Sequence, residues 1–600
     1  MMSPSVTRRV RALCVRALCA RALCVLAGGV WQAAGAPTAQ AQAAPRTPTV
    51  RQAAAAASWL TRPERTDYAE TSRYDEVIAY MRQMAAANKN IHLTTYGYTY
   101  EGRALPLAVI GAPGASAEQV LATNKTRVYI QGNIHAGEVE GKEALLWLLR
   151  SIAKGERDAW LKTTVLLINP IYNADGNERV TVANRGTQAG PVGGMGTREN
   201  AQGLDLNRDG TKMETAEARS MASLLTRYQP HVAMDLHTTD GSSTSGFTMT
   251  YETSLNPNNA AAQTALLRDV LLPQVTQAVK TKYGVDWFYY GGVSGSGDQR
   301  AWRSDAELAK PRYTSTYYGV RNILGLLTET YSYASFRTRI VETYRFLEET
   351  LGYVATHGET VRTVVAQANA ESIIGRQLAV RQQLVKAPAL QTIVFAPTVS
   401  MRNPYVPDRP YRLRPDGQDR SAVTTERLPF YGTAEPTETS LAPRVWVVPM
   451  TAATATAAPT PAPGGFGGGR GGAQGTPTQR MMATVIDRLE AHGIRYRITT
   501  ADQPFRGERF AIATNTLDAR EYQGTHKGRT LTGAWEAAEQ TLPAGSLVIP
   551  MDQPLARLTF ILMDPRSDDG FMWWNLLDTV LGQTPAPAYY PVWRSMNAVP

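Results

Sequence analysis

The sequence predicts an α/β protein whose larger part is a mixed, mostly parallel sheet covered by helices on both faces. Two patterns carry this expectation. Four short runs, 128–130, 165–168, 232–236 and 323–327, are almost unbroken in apolar residues, as strands buried on both faces must be. Between them lie helical periodicities: 140–153, with Ala144, Leu145, Leu148 and Leu149 on one side, and 214–228, with Ala218, Met221, Ala222 and Leu225. Strands that alternate with helices need crossover connections and therefore pair in parallel.

At 600 residues the chain exceeds one ordinary core, so two folded parts are expected. Residues 44–65, rich in Ala, Pro, Thr and Arg, suit a flexible leader, and 66–385 carry the strand and helix alternation. Residues 390–600 read as a smaller accessory α/β or β-rich domain. They hold strand-like pieces at 444–449, 494–499, 546–550 and 557–563 and a helical pattern at 480–491. A tract of Ala, Thr, Pro and Gly at 451–478 interrupts them, and that composition cannot bury enough apolar surface to order itself.

Composition narrows the function classes. With 43% hydrophobic and 19% charged residues the chain is globular. Its three cysteines, Cys14, Cys19 and Cys24, all fall at the N-terminus, where Arg8, Arg9, Arg11, Arg16 and Arg21 precede a short apolar stretch and then Ala41-Gln42-Ala43. That order is an export signal, 1–43, cleaved after Ala43. The mature protein then has no thiol, which excludes disulfides and cysteine zinc sites. No segment is long and apolar enough for a membrane anchor. Removing the signal's five arginines leaves 57 basic against 52 acidic residues from the formal +10. No basic run remains to bind nucleic acid.

Ligands of open α/β sheets bind beyond the carboxyl ends of the strands, so the informative residues should follow the apolar runs. After 128–130 comes Gln131-Gly132-Asn133-Ile134-His135-Ala136-Gly137-Glu138, and after 232–236 comes His237. Two imidazoles and a carboxylate form a zinc ligand set of the catalytic type, with one position open for water. His231 begins the strand that His237 ends, so only one of them can serve the site. His92, His357, His492 and His526 follow no suitable run and are read as structural or surface residues. Glu329 lies just past 323–327 and can serve as general base, with Glu307 and Glu342 as less well placed rivals.

Gly97-Tyr98-Thr99-Tyr100-Glu101-Gly102-Arg103, His135-x-x-Glu138, Asn173-Ala174-Asp175-Gly176, Asp205-Leu206-Asn207-Arg208, His237 and Thr328-Glu329-Thr330 follow one another in this chain. In order and spacing this resembles the zinc metallocarboxypeptidases of the carboxypeptidase A/B type, over about residues 95–345. The resemblance implies an eight-stranded sheet between helices and one zinc ion per chain. It implies that Asn207 and Arg208 grip the substrate's terminal carboxylate, as the planar guanidinium is suited to do, and that Asp205 orients a ligating histidine, His135. The arginine that polarises the scissile carbonyl falls on Arg185, although the motif also permits the position of Gln188. A substrate tyrosine falls among Tyr313, Tyr317 and Tyr318. The family's arginine within His-x-Arg-Glu is replaced by Gly137, which puts close analogies of specificity in doubt.

The function expected is release of C-terminal amino acids from peptides outside the cytoplasm. The partner is a peptide with a free terminal carboxylate. An amidase acting on cell-wall stem peptides or other acyl-amino-acids would use the same machinery, and a non-catalytic binding module would keep the fold without the chemistry.

Overall fold

The computed structural model describes residues 59–239, 245–414, 422–450 and 475–599. The expected signal, most of the leader and most of the tract at 451–478 lie outside the described residues.

The central sheet has eight strands: β1 (Ile91–Tyr98), β2 (Ala104–Ile110), β3 (Thr126–Gly132), β4 (Thr164–Asn169), β5 (Val232–Thr239), β6 (Met249–Thr253), β7 (Trp287–Tyr289) and β8 (Leu324–Tyr331). Their spatial order is β1-β2-β4-β3-β5-β8-β6-β7. The pairs β4·β3, β3·β5, β5·β8 and β6·β7 are parallel. The pairs β1·β2, β2·β4 and β8·β6 are antiparallel, so the sheet is mixed, as expected.

The apolar runs mark buried strands because their side chains alternate between two cores. Val128, Ile130, Leu166, Ile168, Val232 and Met234 face one core, with the helices Tyr74–Ala87, Glu140–Ala153 and Phe336–Thr356. Tyr129, Val165, Leu167 and Ala233 face the other, with the helix Ala216–Tyr228. The helix Glu140–Ala153 starts hard against the sheet because two glycines meet there. A Cβ on Gly132 would lie 2.9 Å from Gly141 C, and one on Gly141 would lie 2.7 Å from Leu236 Cβ.

The second core does not stop at the sheet. It continues into Trp446, Val448, Met481, Val485, Leu489, Phe560 and Leu562, so the described residues pack as one compact unit. A six-stranded antiparallel sheet follows the central one in sequence, in the order Arg497–Ile498, Leu547–Pro550, Val445–Val448, Trp593–Ser595, Gln503–Leu517 and Arg529–Leu542. A smaller sheet joins Gln377–Lys386 and Phe430–Leu441 to Ala301–Arg303 and Gly292–Ser294. Backbone pairing therefore crosses the expected boundary at 385–390.

Two expectations change. The stretch 557–563 is not a strand but part of the helix Ala556–Met563, buried along its whole length. A helix with no solvent face loses its periodicity and reads like a buried strand. The leader expected over 44–65 gives way before its end to an ordered turn. There Tyr80 Oη donates to Trp59 O at 2.8 Å, and Arg150 donates to both carboxylate oxygens of Glu64 at 2.7 and 2.8 Å.

Candidate metal centre and active site

Three adjacent parallel strands, β3, β5 and β8, deliver the candidate residues to one sheet edge. His237 and Glu329 lie inside their strands rather than past them, and they are register partners on β5 and β8. The loop after β3 turns at Asn133, which has a positive φ of 68°. Asn173 braces it, donating its backbone N–H to Asn133 O at 3.1 Å and its amide to Ile134 O at 3.3 Å. The neighbouring Asp175 accepts from Thr99 Oγ1, Glu101 N and Arg103. The segment 97–103 and the motif at 173–176 are thus two halves of one brace under the His135 loop.

His135, Glu138 and His237 are all buried, and their donor atoms converge. Each histidine turns Nδ1 to a Glu138 oxygen at 3.0 Å, and the two Nδ1 atoms are 3.3 Å apart. The opposite nitrogens face carboxylates. His135 Nε2 lies 2.9 Å from Asp205 Oδ1, and His237 Nε2 lies 2.9 Å from Asp235 Oδ2, the latter a close charge contact poorly directed for a hydrogen bond. With protons drawn to the Nε2 positions, two lone pairs and a carboxylate face a single point, an arrangement that a cation stabilises. Two nitrogens about 2.05 Å from a shared tetrahedral zinc would stand roughly 3.3 Å apart, so the donor set fits that ion.

The surrounding charges favour ionised carboxylates. Burial opposes the charge of Glu138, but His135 and Arg185 outweigh it and hold the carboxyl well below its usual range. At Asp205 burial is likewise overcome, by His135 and then Arg208 and Arg198. For His237 burial is outweighed by Asp235 and Glu138, which raise it. Glu329 differs. It keeps some exposure, yet its Oε2 is enclosed and without a hydrogen-bond partner, and burial pushes it up to about 8. Its rivals are occupied elsewhere: Glu342 accepts from Trp287 Nε1 and Arg345, and Glu307 pairs with Lys310.

Arg185 reaches the cluster. It donates to Glu138 Oε1 and Thr238 O at 2.9 Å and to Gln188 Oε1 at 2.6 Å, which engages all three of its nitrogens. Its path explains Gly137, since a Cβ there would meet Arg185 Cδ at 2.7 Å. Gln188 is buried, with its amide donating to Gly137 O and Gly190 O. Sequence reasoning missed Arg198, which contacts Asp205 Oδ2 at 2.9 Å and Glu138 Oε1 at 3.5 Å. It also missed Asp235, although an acid inside an apolar strand was a readable signal.

The turn at 205–208 is held from two sides. Asn207 Oδ1 accepts from Thr314, and its amide nitrogen has no hydrogen-bond partner among the described residues. The Arg208 guanidinium lies over the Tyr313 ring, 4.0 Å from its centroid, and donates Nη1 to Asn207 O, while Nη2 has no hydrogen-bond partner among the described residues. Tyr317 and Tyr318, by contrast, are fully buried in the core. Arg208 Nε donates to Tyr522 Oη at 3.0 Å, and Asp205 N donates to Gln523 Oε1 at 3.1 Å. Both partners belong to the tip of the long hairpin Gln503–Leu517/Arg529–Leu542. No local feature of the sequence announced that contact.

The other histidines make their contacts away from this cluster. His231 Nδ1 accepts from Arg127 N, His92 contacts Ala112 O, His357 stacks on Tyr353, His492 bonds Tyr317 and Thr211 O, and His526 pairs with Glu214.

Two buried histidines and a glutamate that could hold one metal ion, at the carboxyl edge of a mixed α/β sheet, are what this geometry defines. A family model described as zinc carboxypeptidase matches residues 77–314 of the chain. The match takes in the three candidate metal ligands and Arg208 and stops short of Glu329. Carboxypeptidase 2 of Trichophyton rubrum is 27% identical over 172 residues, covering 28% of this chain and 28% of that protein. Carboxypeptidase D of Mus musculus is 33% identical over 132 residues, covering 19% of this chain and 10% of that protein. The chain thus spans less than a third of the length of these curated relatives. Among solved structures, a metallo-carboxypeptidase from Burkholderia cenocepacia is 16% identical with a TM-score of 0.37, over 48% of this chain and 70% of that one. The carboxypeptidase A from Helicoverpa armigera is 17% identical with a TM-score of 0.36, over 53% and 79%. No helix among the described residues is long and apolar enough to cross a membrane.

Proposed function

We propose that the protein is an exported metallocarboxypeptidase, with one zinc per chain, that hydrolyses the C-terminal peptide bond of peptides. The observation that carries this reading is the double role of Asp205. One of its oxygens lies 2.9 Å from His135 and the other 3.8 Å from Arg208 Nη1. A single carboxylate therefore separates the metal cluster from an arginine with donors to spare, the spacing required to hold a substrate's end beside the bond to be cut.

His135, Glu138 and His237 would hold the ion, which when bound polarises the scissile carbonyl and lowers the pKa of water to roughly 7. Arg208 Nη2 and the Asn207 amide grip the terminal carboxylate, with Tyr313 beneath the guanidinium. Glu329 takes a proton from the attacking water and returns it to the leaving amine. The three engaged nitrogens of Arg185 make it a positioning residue for Glu138. Arg198, with 36% of its side chain exposed against 16% for Arg185, is the better placed of the two to reach the carbonyl oxygen. We assign this chemistry to residues 66–385 and an accessory role to 390–600. Export rests on the arginine-rich, apolar, small-residue order of residues 8–43, and N-terminal sequencing of the secreted protein would test it.

The deciding experiment compares a free-acid peptide with its C-terminal amide. Amidation leaves Arg208 without its ionic partner, and kcat/KM should fall by about 30-fold or more. Equal turnover of the two would replace the carboxypeptidase reading with the amidase reading.

A further inference from the structure

The opposite edge of the central sheet holds a cavity of ≈ 440 Å³. Arg127 lies at the start of β3, His231 immediately precedes β5, and Asn322 and Ile323 precede β8. The far wall comes from the C-terminal part and includes Arg495 and Gln553. No aspartate or glutamate lines this space, whereas four arginines do: Arg127, Arg321, Arg362 and Arg495.

Among the described residues all four bond to neutral acceptors only. Arg127 donates to Gln229 O, Arg321 to Tyr317 Oη, His492 O and Thr226 Oγ1, Arg362 to Thr126 Oγ1, and Arg495 to Asp552 O. Arginines elsewhere in the C-terminal contact region are matched by acids, as in Arg312–Asp569 and Arg557–Glu371. Arg321 is 6% exposed, and its enclosed Nε has no hydrogen-bond partner.

His231 repeats the shortage of acceptors. Its Nδ1 accepts the Arg127 backbone N–H at 3.0 Å, and its Nε2 stands 3.2 Å from Arg127 Nη2. Both ring nitrogens thus face donors, whereas a neutral imidazole can accept at only one of them. The ring is neutral because burial, then Arg127 and Arg362, push it down to about 3. An uncompensated buried cation such as Arg321 and a surplus of N–H groups are costly, and an anion with several acceptor oxygens relieves both.

We propose that this cavity is a binding site for a small organic anion carrying a phosphate group, held by Arg127, Arg321 and Arg362. Arg495 closes the site from the C-terminal part, and Ile323, Val365 and Leu555 receive the apolar remainder. The volume is that of a small-molecule pocket. Because its walls come from both parts of the chain, occupancy ties them together and raises stability.

The test uses the full-length zinc-loaded protein in phosphate-free buffer of constant ionic strength, with phenyl phosphate and inorganic phosphate as probes. Calorimetric titration should show saturable binding of one equivalent, with a rise in Tm. Tenfold tighter binding of phenyl phosphate supports an organic ligand, and equal binding of the two probes overturns that part of the proposal in favour of free phosphate. Arg362→Gln should weaken binding at least tenfold and, with no ligand present, raise Tm by relieving repulsion from Arg127. Arg495→Gln, on the opposite wall, should weaken binding as well. Peptide turnover serves as the fold control for both variants. Absence of saturable binding by either probe overturns the site. So does binding unchanged in both variants, since that would locate the anion at Arg208 instead.

Discussion

The two edges of the central sheet treat positive charge in opposite ways. At the carboxyl edge Arg185 and Arg198 contact Glu138, and Asp205 serves Arg198 and Arg208. At the amino edge four arginines surround a cavity with no acid in its lining. The same strands run between the two, so the difference is not one of fold. Cations matched within the protein are positioning devices, whereas cations left unmatched wait for charge from outside. The Arg208 guanidinium combines the two, with the Asp205 carboxylate near one nitrogen and another nitrogen without a hydrogen bond among the described residues.

The sharpest way to break this contrast is to remove the proposed metal ligands. His135→Ala, Glu138→Ala and His237→Ala should each lose zinc and essentially all turnover, while His231→Ala, at the other edge, retains the metal. Elemental analysis of the purified variants decides it, and stoichiometric zinc in His237→Ala would sink the assignment. Next in size, Glu329→Gln should keep zinc and a near-normal KM while kcat drops by about 10² to 10⁴ or more. If kcat barely moves, the base lies elsewhere.

Arg208→Ala should reduce kcat/KM on a free-acid peptide by roughly 2–5 kcal/mol, about 30- to several-thousand-fold. Amidating the substrate should then add little, because both changes delete the same contact. Additive losses in that double comparison would mean that Arg208 and the carboxylate never meet.

The amino edge answers to pH. Burial, then Arg127 and Arg362, push His231 down to about 3 from an ordinary 6.5, so between those values the unfolded chain binds a proton that the native state refuses. Stability contributed by the neutral ring is therefore present above pH 6.5 and is lost on acidification, by up to roughly 3 kcal/mol at about pH 4. His231→Gln should flatten that part of the denaturation profile, and an unchanged slope would show that the loss arises elsewhere. The smallest effect is expected for Tyr522→Phe, which removes one hydrogen bond to Arg208. It should raise KM for free-acid peptides by up to about tenfold with little change in kcat. A loss confined to kcat would contradict a positioning role.

Legibility in the sequence followed burial and proximity along the chain. Parallel strands enclosed on both faces have no choice but apolar residues, so β3, β4, β5 and β8 stood out, and polar residues closing such a run, as His237 does, were conspicuous. The same logic hid the helix Ala556–Met563, whose lack of a wet face erased its period. Arg198 could not be found because it lies in an irregular loop, where no periodicity ties position to direction. The hairpin tip at Tyr522 was illegible for a different reason. Its partner Arg208 is 314 positions away, and nothing local records a contact of that span. Gly137 was noticed only as a missing arginine, while the structure gives it a positive purpose as the space through which Arg185 passes.

The pairing of His237 with Glu329 across β5 and β8 fixes the proposed metal ligand and the proposed base relative to one another by backbone rather than by side-chain packing. Neighbouring strands sit about 4.8 Å apart because their hydrogen bonds demand it, and that spacing survives until the ladder itself comes apart. Damage to the surrounding core should accordingly behave as a dimmer on the number of working molecules and not on the pace of each one. In a partly heated or destabilised sample, active-site titration would then fall in step with residual activity, while the turnover calculated per surviving site stays constant.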